Sequence, residues 1–184
     1  VDNILVDSVL ANITLPNGTI EQIVLTNTTN GTFFNNTYSN TSAAGTYTIL
    51  IIANDTSLHQ NINGTETATF TVGDGVLPNV TSLIPVENST FNVSNRIEIS
   101  ANVTDDVGVS VVLANVTLPN GTFDLQTLSL ATGDKYNVSY TIPDAFGVYN
   151  ITFIANDTSN NINNTETTNF TANDVLVPNV TSLI

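Results

Sequence analysis

The sequence contains no cysteine, no methionine and no tryptophan. Without cysteine the chain has no disulfides, no thiolate metal ligands and no cysteine nucleophile. Its core must therefore be held by packing of the apolar residues, which make up 41% of the chain. That share is ordinary for a folded protein, and 184 residues suffice for two domains of about 100 residues each.

Basic residues are almost absent, because only Arg96 and Lys135 oppose sixteen Asp and Glu, which gives a formal net charge of −14. A phosphate backbone would be repelled, so nucleic acid is excluded as a partner, and an anionic membrane surface is disfavoured for the same reason. No apolar run approaches the roughly 20 residues that span a bilayer. We therefore expect no direct membrane insertion within this segment.

Neutral polar residues take the place of charge: the chain has 28 Asn, 30 Thr and 13 Ser. Twenty of the Asn begin an Asn-x-Ser/Thr triplet without proline at x, where random placement predicts about 6.5. This triplet, the sequon, accepts N-linked glycan on exported chains and leaves the sugar at the surface. We predict N-glycosylation and an extracellular or cell-surface location, with acceptors at Asn12, Asn17, Asn27, Asn30, Asn35, Asn40, Asn54, Asn63, Asn79, Asn88, Asn92, Asn102, Asn115, Asn120, Asn137, Asn150, Asn156, Asn163, Asn169 and Asn179.

A competing interpretation is that Asn and Thr serve only as β-surface and turn formers in a nucleotide-biased genome. The sequons themselves follow strand parity: nine have an apolar middle residue, as in Asn150-Ile151-Thr152. In a strand, Asn and Thr would then face outward and the apolar residue inward. Six more have Gly or Asp in the middle, as in Asn120-Gly121-Thr122, and are typical of turns or strand ends.

The chain repeats itself with a period near 100 residues. VLANITLPNGTI at 9–20 recurs as VLANVTLPNGTF at 112–123, Gly45-Thr-Tyr47 recurs as Gly147-Val-Tyr149, and PNVTSLI occurs at both 78–84 and 178–184. The complete copy shows short alternating runs at the spacing of a β-sandwich, with strands predicted at 80–83, 96–103, 109–118, 123–130, 136–142, 149–155 and 165–171. We therefore predict an all-β chain of tandem immunoglobulin-like β-sandwiches with about seven strands per complete repeat.

Two local motifs support this fold. Leu118-Pro119-Asn120-Gly121 and its copy at 15–18 are strong turn signals and predict hairpins. Tyr47 and Tyr149 each follow a glycine by two residues at the start of a strand, where a tyrosine-corner hydroxyl would bond back to the backbone. Plain core packing of these tyrosines is the alternative.

The motif Gly-x-Tyr-x5-Ala-x-Asp, at 45–55 and 147–157, is followed by an Asn-rich turn and a last strand. Together with the Asp105-Asp106-Val-Gly-Val109 stretch, it resembles bacterial and archaeal Ig-like tandem repeats of large cell-surface glycoproteins. The resemblance covers essentially the whole chain. It implies stalk, filament, surface-layer or adhesin roles and no catalytic residues.

The repeat register predicts three segments: an Ig-like domain at 1–75 that lacks its first two strands, a complete domain at 78–174, and at 175–184 the first strand of a further repeat. We expect a window on a longer array, whose short junctions at 73–78 and 173–178 limit bending. The alternative is strand donation, in which residues 174–184 pair with the first domain of another copy and build a head-to-tail polymer. The predicted partners are thus copies of the chain or flanking repeats.

Support for catalysis is lacking, because the lone His59 lies in a loop and has no counterpart in the second repeat. Calcium is the one cofactor that the residues favour at all, since carboxylate and Asn oxygens are its ligands. The candidates are Asp105, Asp106, Asp157 and Asp174, with Asp2, Asp55 and Asp74 in the first repeat. Turn-holding hydrogen bonds are the preferred interpretation of Asp55 and Asp157, so we expect no metal and no enzyme activity.

We therefore predict a structural, heavily N-glycosylated extracellular repeat protein that forms a rod, filament or surface coat. Two alternatives stay open. An adhesin or carbohydrate-binding module would need an exposed aromatic platform, whereas most Tyr and Phe fall at core positions. Spacer domains of a secreted hydrolase would share the same repeats.

Overall fold

A computed structural model describes residues 5–29, 33–59, 61–175 and 177. The chain divides into two compact units, Val1–Asp74 and Gly75–Ile184. The described residues form fourteen strands and no helix. The strands of the first unit are β1 Val6–Thr14, β2 Ile20–Thr29, β3 Phe33–Asn35, β4 Gly45–Asp55 and β5 Ile62–Val72. Those of the second unit are β6 Asn79–Ile84, β7 Ser89–Asn92, β8 Arg96–Thr104, β9 Val109–Thr117, β10 Phe123–Thr132, β11 Lys135–Thr141, β12 Gly147–Asp157, β13 Ile162–Asn163 and β14 Thr167–Asn173.

The second unit is an immunoglobulin-like β-sandwich. One face carries β6-β8-β11 and the other β10-β9-β12-β14-β7, and β10 pairs with β11 across a register shift between Leu130 and Thr132. Among the described strands of this unit, every pairing is antiparallel except that of β14 with β7. This strand order, with strands passing from one face to the other, is typical of the fold.

The core of the second unit lies between these two faces. The inward residues of β12, among them Tyr149, Ile151 and Phe153, are fully buried, as are Ile99 and Ala101 of β8 on the opposite face. Burying each large apolar side chain contributes roughly 1.5–3 kcal/mol, so the alternating pattern of the two strands specifies which faces meet.

Both tyrosines form the predicted corner. The hydroxyl of Tyr149 donates to the backbone oxygen of Ala145 at 2.7 Å, and that of Tyr47 donates to Ala43 at 2.9 Å. The hairpins are confirmed too: the Gly121 N–H donates to the Leu118 oxygen at 2.9 Å. Gly121 has φ 83°, a left-handed conformation that glycine adopts without steric cost.

The first unit is one five-stranded sheet in the order β3-β2-β1-β4-β5. By the repeat register these strands correspond to β11, β10, β9, β12 and the β13–β14 stretch of the second unit. None of the described residues before Gly75 forms a counterpart of β6, β7 or β8. Among the described residues of the first unit, β7 of the larger face and β6 and β8 of the smaller face therefore have no counterpart.

The strand predictions for the second unit missed β7 and the two-residue β13, and they began the last strand too early. The sequence did not predict β7, because it is four residues long and is flanked by left-handed backbone at Asn88 and Ser94. The last strand begins at Thr167 and not at 165, because the Thr165 amide and hydroxyl both donate to the Asn163 side chain. Strand formation there competes with a local side-chain turn.

Candidate functional site

The sequons with an apolar middle residue have the predicted parity. Eight of the nine lie among the described residues, and in seven of these the middle residue is buried. Ile151 and Phe170 are two examples. Val138 is the half-buried exception. None of the eighteen described sequon Asn residues is buried. Asn30 and Asn179 lie outside the described residues.

Four sequons form a local turn around their own Asn. In the clearest case the Asn120 Oδ1 accepts the Thr122 N–H at 3.0 Å and the Thr122 hydroxyl at 2.7 Å. The third residue of the triplet thus fixes the carbonyl side of the amide and orients the nitrogen side, where a sugar would be attached. The same Thr-to-Asn backbone bond occurs at Asn17, Asn63 and Asn163.

At Asn163 again, and at Asn40, Asn137 and Asn169, the side-chain nitrogen to which a sugar would be attached donates a hydrogen bond within the fold. The Asn137 Nδ2 donates to Glu98 at 2.7 Å, and the Asn163 Nδ2 donates to the Pro78 backbone oxygen at 2.9 Å. Asn40 donates to Glu21 at 2.6 Å and Asn169 to Glu87 at 3.3 Å. In the folded chain these nitrogens must give up a bond before they can accept sugar. The sequence predicted all twenty Asn as glycan acceptors without distinguishing these four, because their hydrogen-bond partners are distant in the chain.

The two repeats treat one equivalent sequon differently. The Asn54 Oδ1 accepts hydrogen bonds from the backbone N–H and the hydroxyl of Ser8. The second repeat has Val111 in place of Ser8, and the buried Oδ1 of Asn156 has no hydrogen-bond partner among the described residues. A buried acceptor without a donor is destabilising, so Asn156 is a weak point of the second unit.

Two of the candidate calcium ligands, Asp157 and Asp55, accept hydrogen bonds that hold the loops in which they lie. The Asp157 Oδ1 accepts the N–H groups of Ser159 and Asn161, both at 2.8 Å, and its Oδ2 accepts the Asn161 side-chain amide. The turn-holding interpretation thus describes how Asp157 is bonded, and Asp55 repeats it with Ser57 and Asn61.

Hydrogen bonds from Ser57 and Asn61 hold the pKa of the Asp55 carboxyl below its usual range. This carboxyl is therefore charged at neutral pH, as a group that accepts several hydrogen bonds should be.

Asp105 is close to Asp157, and a carboxylate oxygen of each lies within 4.8 Å of the other. The Asp105 Oδ1 accepts the Val107 and Gly108 N–H groups at 3.0 and 2.8 Å, whereas its buried Oδ2 has no hydrogen-bond partner among the described residues. Asp106 and Asp174 are exposed. Asp2 lies outside the described residues.

The described surface has no arrangement typical of catalysis. His59 is exposed in a turn. The surface depressions are lined by residues such as Val103, Leu130 and Tyr136, which supply no nucleophile paired with a base. None of the described residues belongs to a helix of the length and apolarity needed to cross a bilayer.

Aromatic side chains mostly pack inward, as expected, but three phenylalanines do not. Phe33, Phe123 and Phe146 are exposed by 58%, 74% and 71%. Phe123 lies on β10, where Leu125 is also 59% exposed, so the outward side of this strand has a small apolar surface.

No family model and no curated protein matches this chain. A tetra-tandem repeat in the extending region of a large adhesion protein is 18% identical with a TM-score of 0.49, over 92% of this chain and 42% of that one. Fibronectin(III)-like modules of Clostridium thermocellum CbhA are 16% identical with a TM-score of 0.46, over 100% and 87%. A 1.5-MDa bacterial ice-binding adhesin is 16% identical with a TM-score of 0.30, over 90% and 51%. This chain thus spans less than half the length of the adhesion-protein structure. The fold assignment rests on the strand order and packing of the chain itself.

Proposed function

We propose that this chain is part of a structural, N-glycosylated repeat protein that forms a rod, filament or coat outside the cell. The supporting observation is how the sequons lie in the fold: in seven of the eight described sequons with an apolar middle residue, that residue is buried while the Asn is not. Sugar at these positions would leave the core undisturbed and would cover the outer faces of the sheets.

The remaining composition agrees with a structural role. With two basic residues and no Trp, the chain has few side chains that could bind anions or stack on ligands. The local geometry that the two units share forms turns and packs the core. The extracellular location, the archaeal or bacterial cell-surface character and the absence of catalysis belong to this proposal.

Peptide mapping of native material tests the glycan part. Trypsin has only two sites in this chain, so chymotrypsin or elastase is the suitable protease. We expect sugar on exposed turn positions such as Asn17 and Asn120. Bare polypeptide at every described sequon would overturn this part of the proposal.

The same map distinguishes two orders of events. If sugar is transferred to the folded chain, occupancy should fall at Asn40, Asn137, Asn163 and Asn169, whose nitrogens already donate hydrogen bonds. Uniform occupancy would indicate transfer before folding.

Negative-stain imaging of the same material tests the assembly. Periodic rods or filaments are the expected result, built either from flanking repeats of one continuous chain or from copies joined by strand donation. Isolated particles of a single size would contradict both. Denaturing gel analysis then separates the two modes, because a continuous array stays one long chain in detergent and a donated-strand polymer falls to its subunit.

An adhesive role is the second candidate, favoured by the exposed Phe123 and Leu125 on β10. Binding of the chain to intact cells or immobilised sugars, lost in a Phe123→Ser, Leu125→Ser variant, would support it. Equal binding by the variant would remove the observation that favours it.

A further inference from the structure

The first half of β10 has its large apolar residues on the outer side of the sheet. Side chains of a strand alternate between the two faces, and Leu128 of β10 is buried in the core. Asp124 and Gln126 have the same parity as Leu128 and therefore lie on the core side. Phe123 and Leu125 face outward and are exposed by 74% and 59%. This segment thus reverses the usual pattern of a half-buried strand, in which the apolar residues face inward.

The same segment is an open edge of the sheet. Among the described strands, β10 pairs with β9 alone from Phe123 to Leu128, and β11 joins it only from Ser129 onward. An exposed apolar edge strand invites pairing with other chains, and proteins normally cover such an edge or place charge on it. The outward residues here are Phe123, Leu125 and Thr127, none of which is charged. Charge therefore does not protect this edge.

A sequon lies directly beside these apolar residues. In the register of β9 and β10, Asn115 is opposite Leu125, and Thr117 is opposite Phe123. Opposite residues of an antiparallel pair share a face and have Cβ atoms about 4.5–5.5 Å apart, and the diagonal neighbour is still within reach of an aromatic side chain. None of the hydrogen bonds among the described residues uses the Asn115 side chain. Sugar on the Asn115 nitrogen would thus start on the same face as Phe123 and Leu125, next to both.

A second sequon lies on the other side of Asn115. On β12, Thr152 is opposite Asn115, and Asn150 is opposite Thr117. Both side chains face outward, so a sugar on Asn150 would occupy the surface over β12. The space left for a sugar on Asn115 is over β10.

The first unit supports the equivalent sequon in a different way. Gln22 replaces Leu125 there and is opposite Asn12, and its Nε2 donates to the Asn12 Oδ1 at 2.8 Å. A hydrogen bond therefore holds the amide of Asn12, whereas an apolar side chain lies beside Asn115. The repeat thus offers a polar and an apolar version of the same position.

We propose that Phe123 and Leu125 form an apolar platform on which the first sugar of an N-glycan on Asn115 packs. This inference rests on the proposed function, because it needs the glycan. A pyranose ring has C–H groups on its faces and hydroxyls around its rim, so it can lie on the phenyl ring and keep its hydroxyls in water. The contact removes apolar surface from water, holds the glycan against the sheet and covers the open edge of β10.

Proton NMR of the full 184-residue chain, produced in a cell that N-glycosylates it, tests the contact. We expect the Phe123 ring to shift C–H signals of one sugar upfield, with nuclear Overhauser contacts between that sugar and the ring. Asn115→Gln removes the sugar and Phe123→Leu removes the ring but keeps an apolar side chain, so each should abolish the shift. Asn120→Gln is the matched control, since it removes a sequon in an exposed turn and should leave the shift in place.

Urea denaturation supplies a second measurement that does not depend on a ring current. In the glycosylated chain, Asn115→Gln should lower the urea midpoint, and this loss should disappear when Phe123→Ser and Leu125→Gln are already present. In chain produced without glycosylation, Asn115→Gln should change the midpoint equally in both backgrounds. The comparison separates the sugar contact from any effect of the glutamine itself.

The proposal is wrong if a glycosylated Asn115 gives no shifted sugar signal, or if the loss on Asn115→Gln is the same in both backgrounds. Either result would leave Phe123 and Leu125 to an external ligand. It is also wrong if Asn115 is bare while other sequons carry sugar, an outcome in which the proposed function stands. A chain that is bare at every described sequon overturns both, so the two failures are distinguishable.

Discussion

Gly147 packs directly against Pro119, so that a Cβ atom added to Gly147 would lie 2.9 Å from the Pro119 Cβ. The first unit repeats the contact between Gly45 and Pro16 at 2.8 Å. The glycine opens the strand that carries the corner tyrosine, and the proline belongs to the Leu-Pro-Asn-Gly hairpin. The two motifs that recur together in the sequence are thus in contact, and the proline leaves no room for a side chain at the glycine position.

A Gly147→Ala variant tests this contact. Gly147 has φ 129°, which side-chain-bearing residues rarely adopt, and the added methyl group meets the proline ring. We expect a loss of about 1–3 kcal/mol in the free energy of unfolding, measured by urea denaturation. Gly75→Ala is the control, because nothing lies within 4 Å and its φ is not left-handed. Equal stability of the two variants would contradict the contact.

The two buried tyrosines of the second unit allow a sharper test of the tyrosine corner. Tyr149→Phe removes the hydroxyl that bonds to Ala145, and should cost about 0.5–1.5 kcal/mol of unfolding free energy. The Tyr140 hydroxyl is buried with no hydrogen-bond partner among the described residues. Tyr140→Phe should therefore leave stability unchanged or raise it. A larger loss from Tyr140→Phe than from Tyr149→Phe would contradict this reading of the two hydroxyls.

The Glu98 carboxylate makes the free energy of unfolding depend on pH. Hydrogen bonds from Asn137 and Lys135 hold the Glu98 pKa below its usual range. Because the Glu98 pKa is lower in the folded chain than the unfolded value of about 4.3, the ionised carboxylate stabilises the fold at pH values above about 4.3. This contribution is lost as the pH falls through the folded pKa.

We therefore expect Glu98→Gln to be less stable than the parent at pH 7, by less than about 1 kcal/mol because the pair is partly exposed. At pH 3 the difference should shrink. Urea denaturation at the two pH values gives the comparison, and a difference that stays constant would show that Glu98 ionisation is not coupled to folding.

Much of the fold was predictable from the sequence, because its signals are local. Alternating residues of β12, the hairpin at Leu118–Gly121 and the corner at Tyr149 each depend on neighbours within a few positions. The pairing of β7 with β14 was not predictable, since it joins Ser89 to Phe170 across the domain and leaves only a four-residue run. The distinction among sequons was hidden for the same reason, as the Asn163 partner is Pro78.

Removal of calcium is expected to leave the melting temperature unchanged. The loop after β12 is held by the hydrogen bonds that Asp157 accepts from Ser159 and Asn161, which need no ion. Thermal unfolding with and without EDTA measures this, with added calcium as the second arm. A drop in melting temperature on chelation, reversed by calcium and absent in an Asp105→Asn variant, would instead make the Asp105 Oδ2 a ligand.

A single substitution should repair the weak point at Asn156. Val111→Ser places a hydroxyl where Ser8 bonds Asn54 in the first repeat, and the buried Asn156 Oδ1 then gains a donor. Because an unsatisfied buried acceptor costs about 1–3 kcal/mol, we expect the variant to unfold at higher urea concentration despite the loss of two methyl groups. Val111→Ala removes the same methyl groups without adding a donor and should be less stable than the parent. If the serine and alanine variants are equally stable, the orphaned oxygen is not what distinguishes the two repeats at this position.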